Sequence, residues 1–168
     1  MRIDVFDDGR LVVQDTTYRC ALGRSGVRID KMEGDGATPA GIFPVRRVLY
    51  RADRIAAPKT ILPAQALTQD DGWVDDVQKP QYNTFTKLPY NGSHEKLWRD
   101  DHIYDVIVVI GYNDNPPVAG RGSAIFIHIA REKYTCTAGC IALARTDILE
   151  VLSIITLDTE IVIHPHTS

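Results

Sequence analysis

The chain has 168 residues, of which 44% are hydrophobic and 24% are charged, and its formal net charge is −3. This length fits one domain covering residues 1–168, and it allows a sizeable core that needs no disulfide or structural metal. Because the net charge is slightly negative and no run of Lys and Arg occurs, the composition does not indicate binding to nucleic acid or to an anionic membrane.

The first residues of the chain do not form a secretory signal. Asp4, Asp7 and Asp8 interrupt any apolar region that a signal peptide would need. No apolar run approaches membrane-spanning length, since the longest, residues 106–110, has the size of a strand. With Met1 as the true start, the sequence predicts a cytoplasmic protein. If residues precede Met1 in the natural chain, a periplasmic location is the alternative.

The first third of the chain is rich in strand signals. Two apolar runs, residues 2–6 and 10–14, are separated by Asp7-Asp8-Gly9, and an Asp-Gly step between such runs is typical of a β-hairpin. Residues 18–22 predict a third strand. The glycines and proline of residues 31–41 exclude regular structure there. Residues 43–50 then predict another strand.

Residues 51–104 are the least patterned part of the chain. Prolines at positions 58, 63, 80 and 89 predict long loops with short elements. Such a stretch inside a compact domain often forms a lid or a wall of a substrate site. His94, Trp98 and Arg99 form a mixed aromatic and charged cluster within it. Two interpretations stay open for this cluster: a wall of the active-site cleft, or a loop whose Trp packs on the core.

Regular patterns return in the last part of the chain. Strands are predicted over residues 104–112, 123–130 and 160–164. A helix is predicted over residues 146–155, with Thr146 as its N-cap and Asp147 in its first turn. Together these elements predict a mainly β domain, either a β-sandwich or a partly open barrel, with one or two helices.

One His and one Cys in this region have the chemistry of a nucleophile and its base. His128 lies in a predicted strand, and Cys140 follows it by twelve residues, directly after Gly139. An imidazole within hydrogen-bond distance can take the proton that keeps a thiol unreactive. Gly139 suits a tight turn, whose backbone N–H groups can hold an oxyanion. From these two residues alone, a buried structural Cys and a satisfied core His are the more common interpretation, with catalysis as the alternative.

The residues Thr137-Ala138-Gly139-Cys140, preceded by Ile127-His128, resemble the L,D-transpeptidase catalytic domain of the YkuD type. That family has a His, a spacer and then Ser/Thr-His-Gly-Cys. The upstream run Gly34-Asp35-Gly36-x-Thr38-Pro39-x-Gly41 is similar to its Gly-rich segment, and the likeness spans about residues 5–164. The resemblance implies a β-sandwich-like fold and an acyl-enzyme. It assigns the nucleophile to Cys140, the general base to His128, oxyanion contacts to the backbone of Gly139 and Cys140, and bracing of the loop to Thr137.

The resemblance also implies a substrate, the stem tetrapeptide of peptidoglycan, which is cut before its terminal D-amino acid. Water would make the protein an L,D-carboxypeptidase, whereas the amine of a second stem peptide would make it a cross-linking L,D-transpeptidase. The lack of an export signal favours a cytoplasmic carboxypeptidase that acts in peptidoglycan recycling. Arg131 and Arg145 flank the motif and are candidates for binding the peptide carboxylates, with solvated surface charge as the alternative for each.

The chain departs from the family pattern at two positions and in its spacer. Ala138 stands where the family usually has His, and Ala142 stands where Arg is common. The spacer from His128 to Thr137 is shorter than usual. An inactive domain that binds wall peptides is therefore a further alternative. Retention of both Cys140 and His128 favours the enzyme, since a pure binder needs neither.

Other chemistries fit the residues less well. A zinc site built from His94, His128, Cys136 and Cys140 lacks the second short-spaced ligand pair, so no metal is predicted. Cys136 and Cys140 also suggest a redox pair, with an incidental Cys136 as the favoured interpretation. A papain-like peptidase fits less well, because its Cys precedes its His in the chain. Here the only histidines after Cys140 are His164 and His166, near the end of the chain, where fraying is expected. No phosphate-binding loop indicates an organic cofactor.

Overall fold

The structure, a computed structural model, describes residues 1–166 of the chain. These residues form fourteen β-strands, one α-helix and one 3₁₀ helix. The strands are β1 (Arg2–Phe6), β2 (Arg10–Val13), β3 (Thr16–Arg19), β4 (Val27–Arg28), β5 (Thr38–Pro39), β6 (Gly41–Tyr50), β7 (Ala64–Ala66), β8 (Asp71–Val74), β9 (Phe85–Lys87), β10 (His94–Lys96), β11 (Val106–Ile110), β12 (Phe126–Ile129), β13 (Ile141–Leu143) and β14 (Glu160–Ile163). The helices are α1 (Arg145–Ile154) and the 3₁₀ helix Glu132–Tyr134. The predicted fold class, mainly β with one or two helices, is confirmed.

One large sheet contains nine of the fourteen strands. Its strand order is β13-β12-β11-β6-β14-β1-β2-β3, and β7 pairs with β6. The long β6 joins two parts of this sheet, because residues 41–44 pair with β14 and residues 45–50 pair with β11. The far edges approach each other where Ala21 exchanges backbone hydrogen bonds of 2.8 and 2.9 Å with Ala142 of β13. The sheet is therefore nearly closed, as a partly open barrel requires.

The predicted N-terminal hairpin is confirmed, but the third strand lies earlier than predicted. The strand β3 pairs with β2 over residues 16–19, whereas the prediction placed it at 18–22. The difference arises because the chain leaves β2 after Arg19. Ala21 then pairs with the opposite edge of the sheet, at Ala142. This crossing from one edge to the other is a tertiary event that local apolarity does not reveal.

The strand β11 is buried on both faces, which explains its uninterrupted apolar sequence. Side chains on one face, such as Val108, belong to the larger core cluster that also contains Ile148 and Leu152 of α1. Side chains on the other face, such as Ile107, belong to a second cluster that contains Phe126, Trp73, Leu97 and Cys140. The predicted nucleophile therefore sits at the border of the second cluster.

The helix α1 begins one residue earlier than predicted. Its N-cap is Ala144, which makes no side-chain capping bond, and the Thr146 hydroxyl contacts the Asp147 carboxylate at 3.3 Å instead. The prediction that Thr146 caps the helix is therefore wrong, because Thr146 lies inside the first turn. The prediction of Asp147 in the first turn is confirmed. Leu149 is only half-buried, while its neighbours toward the sheet are buried.

Residues 51–104 form long loops and short strands, as predicted. Within this stretch, β10, β8 and β9 form a three-stranded sheet in that order. Outside it, β4 and β5 form a separate two-stranded sheet. Arg51 anchors the end of this region, because its guanidinium lies 3.5 Å from the Trp98 ring centroid and donates to the Arg99 carbonyl at 2.7 Å. Among the described residues, no helix is long and apolar enough to cross a membrane.

Candidate active site

His128 lies on β12, which runs parallel to β13, and its register partner on β13 is Ala142. The His128 side chain is buried, with 6% of its surface exposed. Its Nδ1 lies 3.0 Å from the carbonyl oxygen of Ile129. Because a carbonyl oxygen can only accept, Nδ1 carries the proton and Nε2 is left with a free lone pair. The burial lowers the pKa of His128 below its ordinary value, so the imidazole is neutral and able to act as a base.

Cys140 precedes β13 directly and is 9% exposed. Its Sγ donates to the Ala124 carbonyl oxygen at 3.2 Å and accepts from the Phe126 N–H at 3.4 Å. Burial raises the pKa of the Cys140 thiol to about 12, and the negative charge of Glu95 acts in the same direction. The thiol is therefore protonated in the free protein. No hydrogen bond joins it to His128 within residues 1–166, although both side chains line the same cavity.

Thr137 and Gly139 hold the turn that presents Cys140. The Thr137 hydroxyl accepts from the Gly139 N–H at 3.0 Å and donates to the Cys140 carbonyl oxygen at 2.6 Å. Gly139 has φ of +143°, and a Cβ at this position would lie 2.8 Å from the Ala37 carbonyl oxygen. Both the backbone conformation and the close approach therefore require glycine at position 139.

The Gly-rich segment, residues 34–41, packs against this turn from outside the sheet. Thr38 is fully buried, and its Oγ1 accepts from the Gly23 N–H at 2.9 Å. The Thr137 N–H donates to the Leu22 carbonyl oxygen, and the Thr137 carbonyl oxygen accepts from the Arg24 N–H, each at 2.9 Å. Residues 22–24 thus connect the Gly-rich segment to the turn before Cys140. The two sequence blocks that carried the family resemblance meet in space.

The two predicted oxyanion donors differ in their hydrogen bonding. The Gly139 N–H is already bonded to Thr137, as described above. The Cys140 N–H has no hydrogen-bond partner among the described residues. The Cys140 N–H is therefore the donor that this turn leaves free for an oxyanion. Gly139 supplies the backbone conformation of the turn.

A cavity of about 380 Å³ opens beside Cys140 and His128. The wall that faces them carries charged and phenolic side chains that sequence reasoning did not assign to the site. These are Lys31, Glu33, Asp75, Glu95 and Tyr104. Five of the lining residues come from residues 51–104, namely Asp75, Glu95, Arg99, Ile103 and Tyr104, so this stretch does wall the cavity. The low sequence regularity of that stretch was the available signal, but it did not indicate which side chains face inward.

Tyr104, which is buried, and Glu95, which is partly buried, form a pair in this wall. The Tyr104 hydroxyl donates to the Glu95 carboxylate, and the Tyr104 ring meets the His128 ring edge-to-face with centroids 5.4 Å apart. Burial raises the pKa of Glu95, and burial together with the Glu95 charge holds the pKa of Tyr104 well above its usual value. The pair therefore fixes the Tyr104 ring that packs on the His128 ring.

The two arginines predicted to bind substrate lie in different places. Arg131 lines the cavity and reaches Asp101 at 3.7 Å, with 53% of its side chain exposed. Arg145 is exposed at the start of α1 and is not among the residues that line the cavity. Only Arg131 is placed to meet a ligand in this cavity.

The cluster of His94, Trp98 and Arg99 divides between its two interpretations. Arg99 lines the cavity, whereas Trp98 packs on the second core cluster and on Arg51. The His94 ring lies on β10 and contacts the Gly92 carbonyl oxygen at 2.9 Å, away from the lining residues. Arg99 is therefore part of the cavity wall, whereas Trp98 is part of the core packing.

The residues of the rival chemistries are also dispersed. His164 bonds Asp4 at 2.6 Å and His166 contacts Asp7, so neither approaches Cys140. Cys136 is exposed and lines the cavity as a free thiol. In the part of the chain that the structure describes, no group of three or more His, Cys, Asp and Glu side chains is suited to hold a metal ion.

Comparison with known proteins identifies the family. The family model described as the L,D-transpeptidase catalytic domain, YkuD, matches residues 1–163. The chain therefore belongs to the YkuD family, and the resemblance expected from its motifs is confirmed. No curated protein matches the chain.

Three solved structures illustrate the range of similar proteins. Bd1075 from Bdellovibrio bacteriovorus is 16% identical over 99% of this chain and 48% of its own, with a TM-score of 0.49. The helical cell shape determining protein Pgp2 from Campylobacter jejuni is 15% identical over 99% and 48%, with a TM-score of 0.45. An L,D-transpeptidase from Mycobacterium smegmatis is 12% identical over 97% and 58%, with a TM-score of 0.42. The chain spans about half the length of the first two proteins.

Proposed function

We propose that this protein is a cysteine-dependent acyl-transfer enzyme that cleaves the bond before the terminal D-amino acid of a peptidoglycan stem tetrapeptide. The observation that carries the proposal is the placement of Cys140, directly before β13, and of His128, on the neighbouring strand β12, in the lining of one cavity. Family membership supports the choice of substrate, since the match covers residues 1–163. With water as the acceptor, the reaction is that of an L,D-carboxypeptidase.

The first half of the reaction transfers the acyl group to sulfur. As substrate enters, the Cys140 thiol turns from the Ala124 carbonyl oxygen toward His128, and Nε2 takes its proton. The sulfur attacks the carbonyl carbon of the third residue, and the Cys140 N–H donates to the oxyanion that forms. When the intermediate collapses, the carbon–nitrogen bond breaks. The proton held by His128 goes to the leaving amine, and the D-amino acid departs.

The second half of the reaction restores the enzyme. His128 takes a proton from a water molecule, which attacks the thioester carbonyl carbon. The carbon–sulfur bond breaks, the sulfur regains the proton, and a tripeptide with a new carboxylate leaves. Arg131, at the rim of the cavity, is the candidate partner for a peptide carboxylate.

A second cavity supports cross-linking as the alternative function. It has a volume of about 500 Å³ and shares Ile103, Arg131 and Thr135 with the Cys140 cavity. A peptide bound there would bring an amine to the thioester from the side of Arg131. In that case the amine nitrogen, and not water, takes the acyl group, and the protein is an L,D-transpeptidase.

Mass spectrometry of the products tests this proposal. The protein is incubated with free tetrapeptide and with disaccharide-tetrapeptide, beside Cys140→Ala as the inactive variant and Cys136→Ser as the matched thiol control. Conversion to tripeptide with release of D-alanine, lost in Cys140→Ala and kept in Cys136→Ser, is the expected result. A cross-linked dimer would support the transpeptidase instead.

Two outcomes would count against an enzyme of this kind. Substrate that binds but is not converted would favour an inactive domain that binds wall peptides, for which Ala138 and Ala142 are the supporting residues. Conversion that survives in Cys140→Ala would exclude Cys140 as the nucleophile. The cytoplasmic location stays a prediction, and fractionation of cells that express the protein would test it.

A further inference from the structure

Ala124 adopts a backbone conformation that alanine takes only at a cost. It lies two residues before β12, it is buried, and its φ of +54° falls in the left-handed region. Ala124 also lines the Cys140 cavity, and its carbonyl oxygen accepts the hydrogen bond from the Cys140 thiol at 3.2 Å. Strain at a residue in direct contact with the proposed nucleophile indicates that this conformation has a use.

The side chain of Asn83 holds Ala124 in this conformation. Asn83 lies between β8 and β9 and is 5% exposed. Its Oδ1 accepts from the Ala124 N–H at 3.0 Å and from the Trp73 Nε1–H at 2.9 Å. Its Nδ2 donates to the carbonyl oxygens of Tyr112 and Asn113 at 3.0 and 2.7 Å. Because an amide accepts two hydrogen bonds and donates two, this one is fully used, and three segments of the chain fix its position.

Two backbone groups around Ala124 contact the Cys140 sulfur with opposite effects. The Ala124 carbonyl oxygen accepts the S–H and therefore stabilises the neutral thiol. The Phe126 N–H donates to the sulfur at 3.4 Å and would stabilise a thiolate. In the described part of the chain, the thiol makes no hydrogen bond with His128. The direction of the Ala124 carbonyl therefore decides whether the sulfur has an acceptor for its proton other than the base.

We propose that Asn83 is a positioning residue for the reaction. By holding Ala124 in its left-handed conformation, Asn83 aims the Ala124 carbonyl oxygen at the Cys140 thiol. The thiol is thereby kept protonated, and without a bond to His128, until a substrate enters and displaces it from the carbonyl. The inference rests on the proposed function, because it treats Cys140 as the nucleophile.

The infrared S–H stretch of Cys140 tests this inference without any substrate. An S–H group that donates a hydrogen bond absorbs at a lower frequency than a free one, and the Cys140 band is assigned by its loss in Cys140→Ala. Asn83→Gly removes the amide, while glycine still allows the φ of +58° at position 83. The band should shift to higher frequency in this variant. Iodoacetamide should alkylate Cys140 about three- to tenfold faster at pH 8, as for the loss of one hydrogen bond.

Two further variants separate positioning from packing. Trp73→Phe is the matched control, because it removes the other hydrogen bond to the same Asn83 oxygen and leaves the Ala124 bond in place. The band and the alkylation rate should stay at their wild-type values. The double variant Asn83→Gly/Ala124→Gly should return the band most of the way to the wild-type frequency, since glycine adopts positive φ without the cost that alanine has. Circular dichroism confirms that each variant is folded.

An unshifted band in folded Asn83→Gly would overturn the inference. An equal shift in Trp73→Phe, or no return in the double variant, would do the same. If Asn83→Gly does not fold, Ala124→Val makes the test from the other side. A β-branched residue disfavours positive φ, so the carbonyl should turn away with Asn83 in place, and an unchanged band there would again overturn the inference. Absence of turnover together with the expected band shifts would overturn only the proposed function.

Discussion

The two sides of the Cys140 cavity are built in different ways. The side that carries Cys140 and His128 is formed by two neighbouring strands and one turn, with hydrogen bonds between residues close in sequence. The facing side is formed by a small separate sheet and by loops, and its charged groups come from residues far apart in the chain. The first side holds the proposed nucleophile and base in a fixed register. The second side contributes charge and shape, which are properties suited to selecting a substrate.

The largest expected effect lies on the reactive side, at His128. His128→Ala removes the base and should lower kcat by about 10²–10⁴-fold, the range for general base catalysis. His94→Ala, whose ring lies outside the cavity lining, should keep wild-type activity. Because burial lowers the pKa of His128, the neutral form persists in acid, and the acid limb of kcat/KM against pH should lie below pH 6.5. Equal losses in the two variants would remove His128 from the mechanism.

The next effect concerns the turn that joins the two family motifs. Gly139→Ala should lower the free energy of unfolding by about 2 kcal/mol or more, because strain at φ of +143° adds to a clash with the Ala37 carbonyl oxygen. Gly34→Ala is the matched control. Gly34 also has positive φ, but a Cβ there meets no atom within 4 Å, so a loss of about 1 kcal/mol is expected. Urea denaturation followed by circular dichroism measures both, and equal losses would contradict the close approach.

The smallest expected effect is the influence of Glu95, on the facing side of the cavity, on the reactivity of the Cys140 thiol. Glu95→Gln removes a negative charge that helps to keep the Cys140 thiol protonated, so iodoacetamide should alkylate Cys140 about three- to tenfold faster at pH 8. Peptide mass spectrometry of the same sample reports Cys136 as an internal control, since its exposed thiol should react at the same rate in both proteins. In the wild type, Cys136 should react much faster than Cys140, which is buried.

An unchanged Cys140 rate in Glu95→Gln would show that burial alone protects the thiol. The wall would then act on the substrate but not on the nucleophile. If iodoacetamide alkylated Cys140 of the wild type as fast as Cys136, the buried placement of Cys140 would be contradicted.

The sequence predicted one side of the site far better than the other. Thr137, Gly139 and Cys140 lie within four consecutive residues, and His128 lies on the preceding strand, so a short pattern contains all four. Asp75 and Glu95 have no such signal, because their shared place in the cavity lining depends on the pairing of β8 with β10. Arg145 is closer to Cys140 in sequence than Arg131 is, yet only Arg131 lines the cavity.

The sequence by itself determined the fold class and the family, and it contained the order of the proposed catalytic residues. These depend on apolar alternation, on glycine and on residue spacing, all of which are local. Only the tertiary structure decided that residues 20–22 cross to the opposite edge of the sheet, that Gly139 packs on Ala37, and that carboxylates face the thiol. The physical reason is that contacts between distant segments are set by burial and backbone pairing of the whole chain, which leave no periodic trace in any one segment.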